Sequence, residues 1–344
     1  MHTVLRSLLL FFLFTIVAFP HNVSAKTPRL KVGYSAGGGS ILTFIAQDQK
    51  FFQKEGIEVE LIPFTSSADG LNALNSGKID IGISFGTAGP LTFITKGSDF
   101  LIIGGHLSGG HPVITLPAKA SQFKTIQDYK GKKVGTPRIY TADVVWRGAM
   151  KRAGFNLEKD VEIIEMKNPP ALLEAVKAGR VDVGIGASSL YMKAKQAKLA
   201  IVGWSNDFQP DHPCCRAVAK GKAVKNDPET YKAFLRALIQ AEKIRYAKPE
   251  LAVDINRRFL EIDEDMARDY TLEPHQSHHA DPNRKGVIDM WEDMNAVGYI
   301  KSDIDIDRHI NIDLYRAALD ELIKKNPGDK FYGELKKRFA QQNL

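Results

Sequence analysis

Two cysteines in 344 residues, Cys214 and Cys215, are too few for a small disulfide-stapled scaffold. Beyond residue 25 no stretch reaches eighteen apolar residues, so no transmembrane helix is expected there. Arginine blocks and basic stripes are also lacking. The formal net charge is +7, or +6 without Arg6, but the charges are scattered, which argues against a nucleic-acid partner. There is no GxGxxG with an acidic follower, and Gly37-Gly38-Gly39 has no P-loop lysine after it, so no nucleotide or other cofactor is expected. HExxH is missing, and no Cys and His stand in an evident nucleophile setting. Binding is expected rather than catalysis.

What is present suffices for a large core, with 44% hydrophobic residues. Arg6, an apolar run over 8–19 and the small residues of Val23-Ser24-Ala25 read as a secretory signal peptide cleaved after Ala25. An uncleaved anchor is the alternative. The expected mature chain, 26–344, is then exported to the periplasm, and no cysteine near residue 25 offers a lipid anchor.

The strongest internal signal is a repeat spaced by 102 residues. LKVG at 30–33 returns as KKVG at 132–135, VELI at 59–62 as VEII at 161–164, and LNALNSGKIDIGI at 71–83 parallels LEAVKAGRVDVGI at 173–185. Each set reads as strand, helix, strand, the pattern of a parallel sheet covered by helices. Two α/β lobes follow. A further echo, HPVITLPAK at 111–119 and HPCCRAVAK at 212–220, marks two extended segments that cross between them. The expected division is lobe one over 26–110, a hinge crossing over 111–118, lobe two over 119–211, a return over 212–220, and a helical part of lobe one over 221–344. Within lobe one a single helix is expected from Ile41 through Phe52 to Gly56, and a strand over 79–85; the last predicted tail helix spans 314–325. Asp80 and Asp182, at matching positions before buried strands, suit structural hydrogen bonding.

Ligands of open α/β sheets sit beyond the carboxyl ends of strands, where helix N-termini offer unpaired N–H groups. This places Ser35, Gly38, Gly39, Ser40, Thr65, Ser66, Ser84, Gly86, Thr141, Ser188 and Ser189 around one inter-lobe cleft. The glycines allow a close backbone approach, or simply a tight turn. Arg138 offers a fork of donors for a carboxylate or sulfonate, and Phe85, Tyr140 and Trp204, each directly after a strand, offer flat faces for an organic group. Trp146 and Tyr191 fit packing instead. Cys214 and Cys215 lie on the return segment, where buried thiols, a vicinal disulfide and a site shared with His212 remain alternatives. His275, His278, His279 and Asp281, bracketed by Pro274 and Pro282, suit a loop with a solvated or rim role.

The export signal, KVGYSAGGGS, LNSGKIDIGISFG with AGRVDVGIGASS, and HPCCRAVAK together resemble the substrate-binding proteins of nitrate, sulfonate and taurine type ABC importers. That family includes binding proteins for thiamine pyrimidine precursors, and the resemblance covers about residues 29–325. It implies a type II periplasmic-binding-protein-like fold, two α/β lobes joined by two hinge strands with the helical tail on lobe one. It also implies a monomer that closes on a small anionic or heterocyclic ligand and docks on an inner-membrane permease with a cytoplasmic ATPase. A ligand-presenting sensory module, and a fungal pyrimidine synthase with a cysteine-rich motif, are the other readings.

Overall fold

A computed structural model describes residues 27–35 and 40–344, so the expected signal peptide and the candidate residues Gly38 and Gly39 lie outside the described residues. Eleven strands are assigned among those described: β1 Arg29–Ser35, β2 Glu58–Phe64, β3 Ile81–Gly82, β4 Phe100–Gly109, β5 Pro112–Thr115, β6 Lys133–Pro137, β7 Glu162–Met166, β8 Val183–Ile185, β9 Ala200–Trp204, β10 Pro213–Lys220 and β11 Gln276–Ser277. They form two sheets, ordered β11-β4-β10-β3-β1-β2 and β7-β6-β8-β5-β9. Two α/β lobes result, as the repeat requires.

The repeat extends to register. In the first sheet Lys31 faces Glu60 and Val32 faces Ile81. In the second, Lys133 faces Glu162 and Val134 faces Val183, each pair 102 residues later. Asp80 accepts a hydrogen bond from the Lys31 N–H at 2.7 Å, and Asp182 accepts from the Lys133 N–H at 2.9 Å. Each carboxylate thus satisfies an amide at the start of its lobe's first strand, the structural role expected of both.

Three local expectations are corrected. The helix expected from Ile41 to Gly56 breaks into Ile41–Asp48 and Phe51–Lys54, because Lys50 adopts a left-handed φ of 57°. The strand expected over 79–85 pairs only at Ile81–Gly82, after which the chain turns so that the Phe85 ring folds back beneath the sheet. A further helix, Lys330–Asn343, follows the last one predicted. Tyr332, Leu335 and Phe339 on that terminal helix are buried, and Arg338 hydrogen-bonds the fully buried Glu242 at 2.9 Å.

The tail packs on the first lobe, as expected. Its long helix Pro228–Ala247 places Phe234, Leu238 and Ile239 in one core with Phe44 and Ile45 and with Tyr315 and Leu319. One tail helix reaches farther. Arg284–Ala296 sets Val287, Met290 and Met294 in a cluster shared with Leu71 and Leu91 of the first lobe and Val144 and Val145 of the second. It acts as a strut between lobes.

The chain passes from β4 to β5 through Gly110–His111 and returns to β10 through His212. The two echoed segments are therefore strands at their cores: Pro112–Thr115 joins the second sheet and Pro213–Lys220 the first. The crossings themselves are adjacent. Gly109 N–H donates to the His212 carbonyl at 3.0 Å, and the two imidazole rings stack 5.3 Å apart.

Candidate functional site

In lobe one β1 ends on Ser35 and Ser84 follows β3, while in lobe two Thr141 follows β6 and Ser188 follows β8, each a few residues beyond the strand end. In lobe one, the Ser84 hydroxyl accepts from the Ser35 N–H at 2.7 Å and lies 3.2 Å from the buried Ser40 hydroxyl. Thr87 directly precedes the helix Ala88–Thr95, and Thr141 opens the helix Thr141–Arg152 of lobe two. Both threonines donate to the same atom, the Cys214 carbonyl oxygen, at 3.1 Å each. Gly86, at φ 83°, faces Thr141 across the gap: a Cβ there would meet the Thr141 hydroxyl at 3.8 Å. The Ser188 hydroxyl favours the ionised form of the Cys214 thiol, and the Gly86 N–H that of Cys215.

Ser35, Ser40, Ser84, Gly86, Thr141, Ser188 and Cys214 are thus gathered where the lobes meet. The N-terminal turns of two helices face the same region and add partial positive charge. Thr65 is exposed, and Ser66 caps the helix Ser67–Asn75 through the Asp69 N–H. Ser189 precedes the helix Leu190–Gln196 without a side-chain cap bond. None of these three has a hydrogen bond to the cluster among the described residues.

The aromatic expectations divide. Phe85 is 3% exposed and packs edge-on against Phe64, so it is a core residue and not a rim face. Tyr140 is exposed at the start of the second-lobe helix. Trp204 stacks on His275 with ring centres 4.3 Å apart and 10° between planes, and Tyr191 lies beside it. His275 comes from the tail, so this stack also joins the lobes. Trp146 is fully buried, consistent with packing.

Arg138 is already engaged. Its guanidinium pairs with Glu165 at 2.8 Å and lies over the Tyr299 ring, 4.8 Å from its centre. Any anion arriving there competes with Glu165. Tyr299 in turn donates to the buried Asp143 carboxylate of lobe two, which also holds Arg147 at 2.7 Å. Burial and that carboxylate push the Tyr299 phenol well above its ordinary range.

A cation that sequence reasoning missed lies beneath the cysteines. Arg216 is 1% exposed, and its guanidinium donates to the carbonyls of Leu107 at 2.7 Å and Asp281 at 2.9 Å, and to the Ser108 hydroxyl at 3.1 Å. Burial lowers it to about 10, so it stays charged at neutral pH with carbonyls rather than a carboxylate as its hydrogen-bond partners. An arginine inside an otherwise apolar strand was the available signal. The Cys214 to Cys215 hydrogen bond, with burial, raises the Cys214 thiol well above its usual value; that same bond and the Gly86 N–H lower Cys215.

The tail histidines lie in an irregular segment, as expected, but most of them are not solvated or at the rim. His278 and Asp281 are buried, and His279 bonds Glu242 at 2.8 Å, leaving only His275 near the rim. At the crossings, His212 Nδ1 bonds the Gln209 carbonyl at 2.7 Å and its Nε2 lies 3.2 Å from His111 Nδ1. Burial lowers His212 to about 4 and His111 well below its ordinary value.

A family model described as NMT1/THI5 like matches residues 39–252. A protein of Brucella abortus (strain 2308), named as a binding protein, is 30% identical over 250 residues, covering 71% of this chain and 75% of that one. The nitrate-binding protein NrtA of Synechocystis PCC 6803 superposes with a TM-score of 0.71 at 18% identity, covering 86% of this chain and 89% of that chain. The aliphatic sulphonate binding protein SsuA of Escherichia coli superposes with a TM-score of 0.68 at 17% identity, covering 84% and 99%. Likeness at these two identities establishes the shared two-lobed fold.

Proposed function

Because the chain belongs to the NMT1/THI5-like family, we propose that it is an exported, monomeric solute-binding protein. In this reading it captures a small organic anion, a sulfonate, carboxylate or charged heterocycle, between its lobes and delivers it to the permease of an ABC importer. The observation that carries the reading is the convergence of both lobes on the Cys214 carbonyl through Thr87 and Thr141, amid serine hydroxyls and above the buried Arg216 charge. Hydroxyl and N–H donors suit an oxyanion, and the two solved structures cited are named for nitrate and for aliphatic sulphonates. Ser35, Ser40, Ser84, Gly86 and Ser188 are the proposed donors, with Tyr140 and Trp204 as ring faces at the rim.

Binding is favoured over catalysis because the cleft serines have no histidine among their described hydrogen-bond partners; the buried His111 and His212 stand at the crossings. Closure about those crossings would bury the solute. The test is native mass spectrometry of the chain purified from its own periplasm, followed by calorimetric titration with nitrate, ethanesulfonate and a 4-aminopyrimidine. One of them, or a retained anion, should bind, and Ser84→Ala should weaken that binding about tenfold, the loss of one charge-assisted hydrogen bond. No retained molecule and no heat with any probe would overturn the reading.

A further inference from the structure

Solute capture as described uses the Cys214 carbonyl but neither thiol. The sulfurs of Cys214 and Cys215 lie 3.3 Å apart, buried, where the two lobes meet. The setting favours a reactive thiol. The Gly86 N–H and the charge of Arg216, the next residue along the strand, favour the Cys215 thiolate, and the Ser188 hydroxyl favours that of Cys214. A fixed cation and an N–H donor both stabilise a thiolate. Cys214 is the thiol within reach to resolve any mixed disulfide formed at Cys215.

Neighbouring residues make a strained ring. Consecutive Cα atoms are about 3.8 Å apart, shorter than the roughly 4.4–6.8 Å that disulfides adopt, so the peptide between them must twist when the bond forms. The carbonyl of that peptide is the oxygen gripped by Thr87 from one lobe and Thr141 from the other. Closing the ring pulls on the atom that both lobes hold.

We propose that Cys214–Cys215 is a reversible modification site, which a low-molecular-weight disulfide oxidises to a vicinal disulfide that loosens the two-lobe threonine grip. The Cys215 thiolate attacks one sulfur of the oxidant, breaking its S–S bond and releasing half of it as a thiolate. Cys214, losing its proton, then attacks the Cys215 sulfur of the mixed disulfide and releases the other half. Two electrons pass from the pair to the oxidant, and the two cysteine protons end on the two departing thiols. Strain keeps the ring easily reduced by a dithiol.

This goes beyond solute capture and requires no ligand. The full chain is incubated with oxidised glutathione and read by intact mass, by iodoacetamide labelling after denaturation, and by hydrogen exchange. Expected are a loss of two hydrogen atoms in mass, no retained glutathione, no covalent dimer, protection of both cysteines from label, and full reversal by dithiothreitol. Exchange in segments 85–91 and 140–146 should quicken several-fold in the oxidised form. Cys214→Ser, checked for a native melt, should hold glutathione on Cys215, since it lacks the resolving thiol. Two freely labelled cysteines in the treated wild type, or a stable glutathione adduct on it, would overturn the site. Unchanged exchange in fully oxidised protein would overturn the loosening. Titration of untreated protein with ethanesulfonate reports on solute capture separately, so either failure is visible alone.

Discussion

At the scale of single residues, Phe85 owes its position to three neighbours that lack side chains. A Cβ on Gly70 would lie 2.2 Å from the ring, one on Gly82 2.8 Å and one on Gly33 3.1 Å. The ring fills the space those glycines leave, which is why an aromatic at a strand end points inward rather than to the cleft. Gly70→Ala is expected to destabilise by about 1–3 kcal/mol through overpacking. Adding Phe85→Leu should recover part of that loss, so the double variant is more stable in urea than the two single effects predict together. Strict additivity in that cycle would remove the clash as the cause. Arg138 was legible as a cation at a strand end, but its capture by Glu165 was not, because 27 residues separate the partners and no local pattern links them.

Among the elements, the strut helix Arg284–Ala296 changes the meaning of the tail. Lys151 of lobe two bonds the Ala296 carbonyl at 2.6 Å, Arg152 pairs with Asp293, and Tyr299 just beyond the strut reaches Asp143. Tyr299→Phe keeps the ring beneath Arg138 and deletes only the hydroxyl that satisfies a buried carboxylate. It is expected to cost about 1–3 kcal/mol and to increase the radius of gyration in small-angle scattering as the lobes part. An unaltered unfolding midpoint and radius would show that the strut does not hold them. The apolar spacing of the earlier tail helices made them legible. The terminal helix was not, since only Tyr332, Leu335 and Phe339 among its fourteen residues are buried and hydrophobic and Gly333 interrupts it. Its anchors are distant ones: Arg338 on Glu242, and Asn343 on Asp281 at 2.9 Å.

For the whole molecule, the two crossings are joined by neutral imidazoles. Burial is the main reason that His212 sits at about 4, and the Arg216 charge adds to it, while the Gln209 carbonyl and Asp211 oppose it. An unfolded chain takes up the proton near pH 6.5, so this contribution to stability is complete above that pH. It is lost progressively as the pH falls from 6.5 toward 4, by roughly 3 kcal/mol for His212 alone. Urea unfolding should therefore show a lower midpoint at pH 5 than at pH 7, and His212→Gln should flatten that slope. Equal midpoints for the wild type at both values would exclude the histidine pair as an acid-sensitive joint.

The amino-acid sequence by itself determined the doubling of the molecule. Alternation and spacing are local properties, and the 102-residue repeat carries with it the strand register, the paired roles of Asp80 and Asp182, and the two crossings marked by His111 and His212. It also located the serines and threonines that follow the strands, because the order of strand, loop and helix comes from the same periodicity. Only the tertiary structure decided which of them meet. The grip of Thr87 and Thr141 on Cys214 joins residues 127 and 73 positions apart. The burial of Arg216 and the strut depend likewise on chain segments brought together by packing, and side-chain partnerships at such separations leave no trace in local pattern.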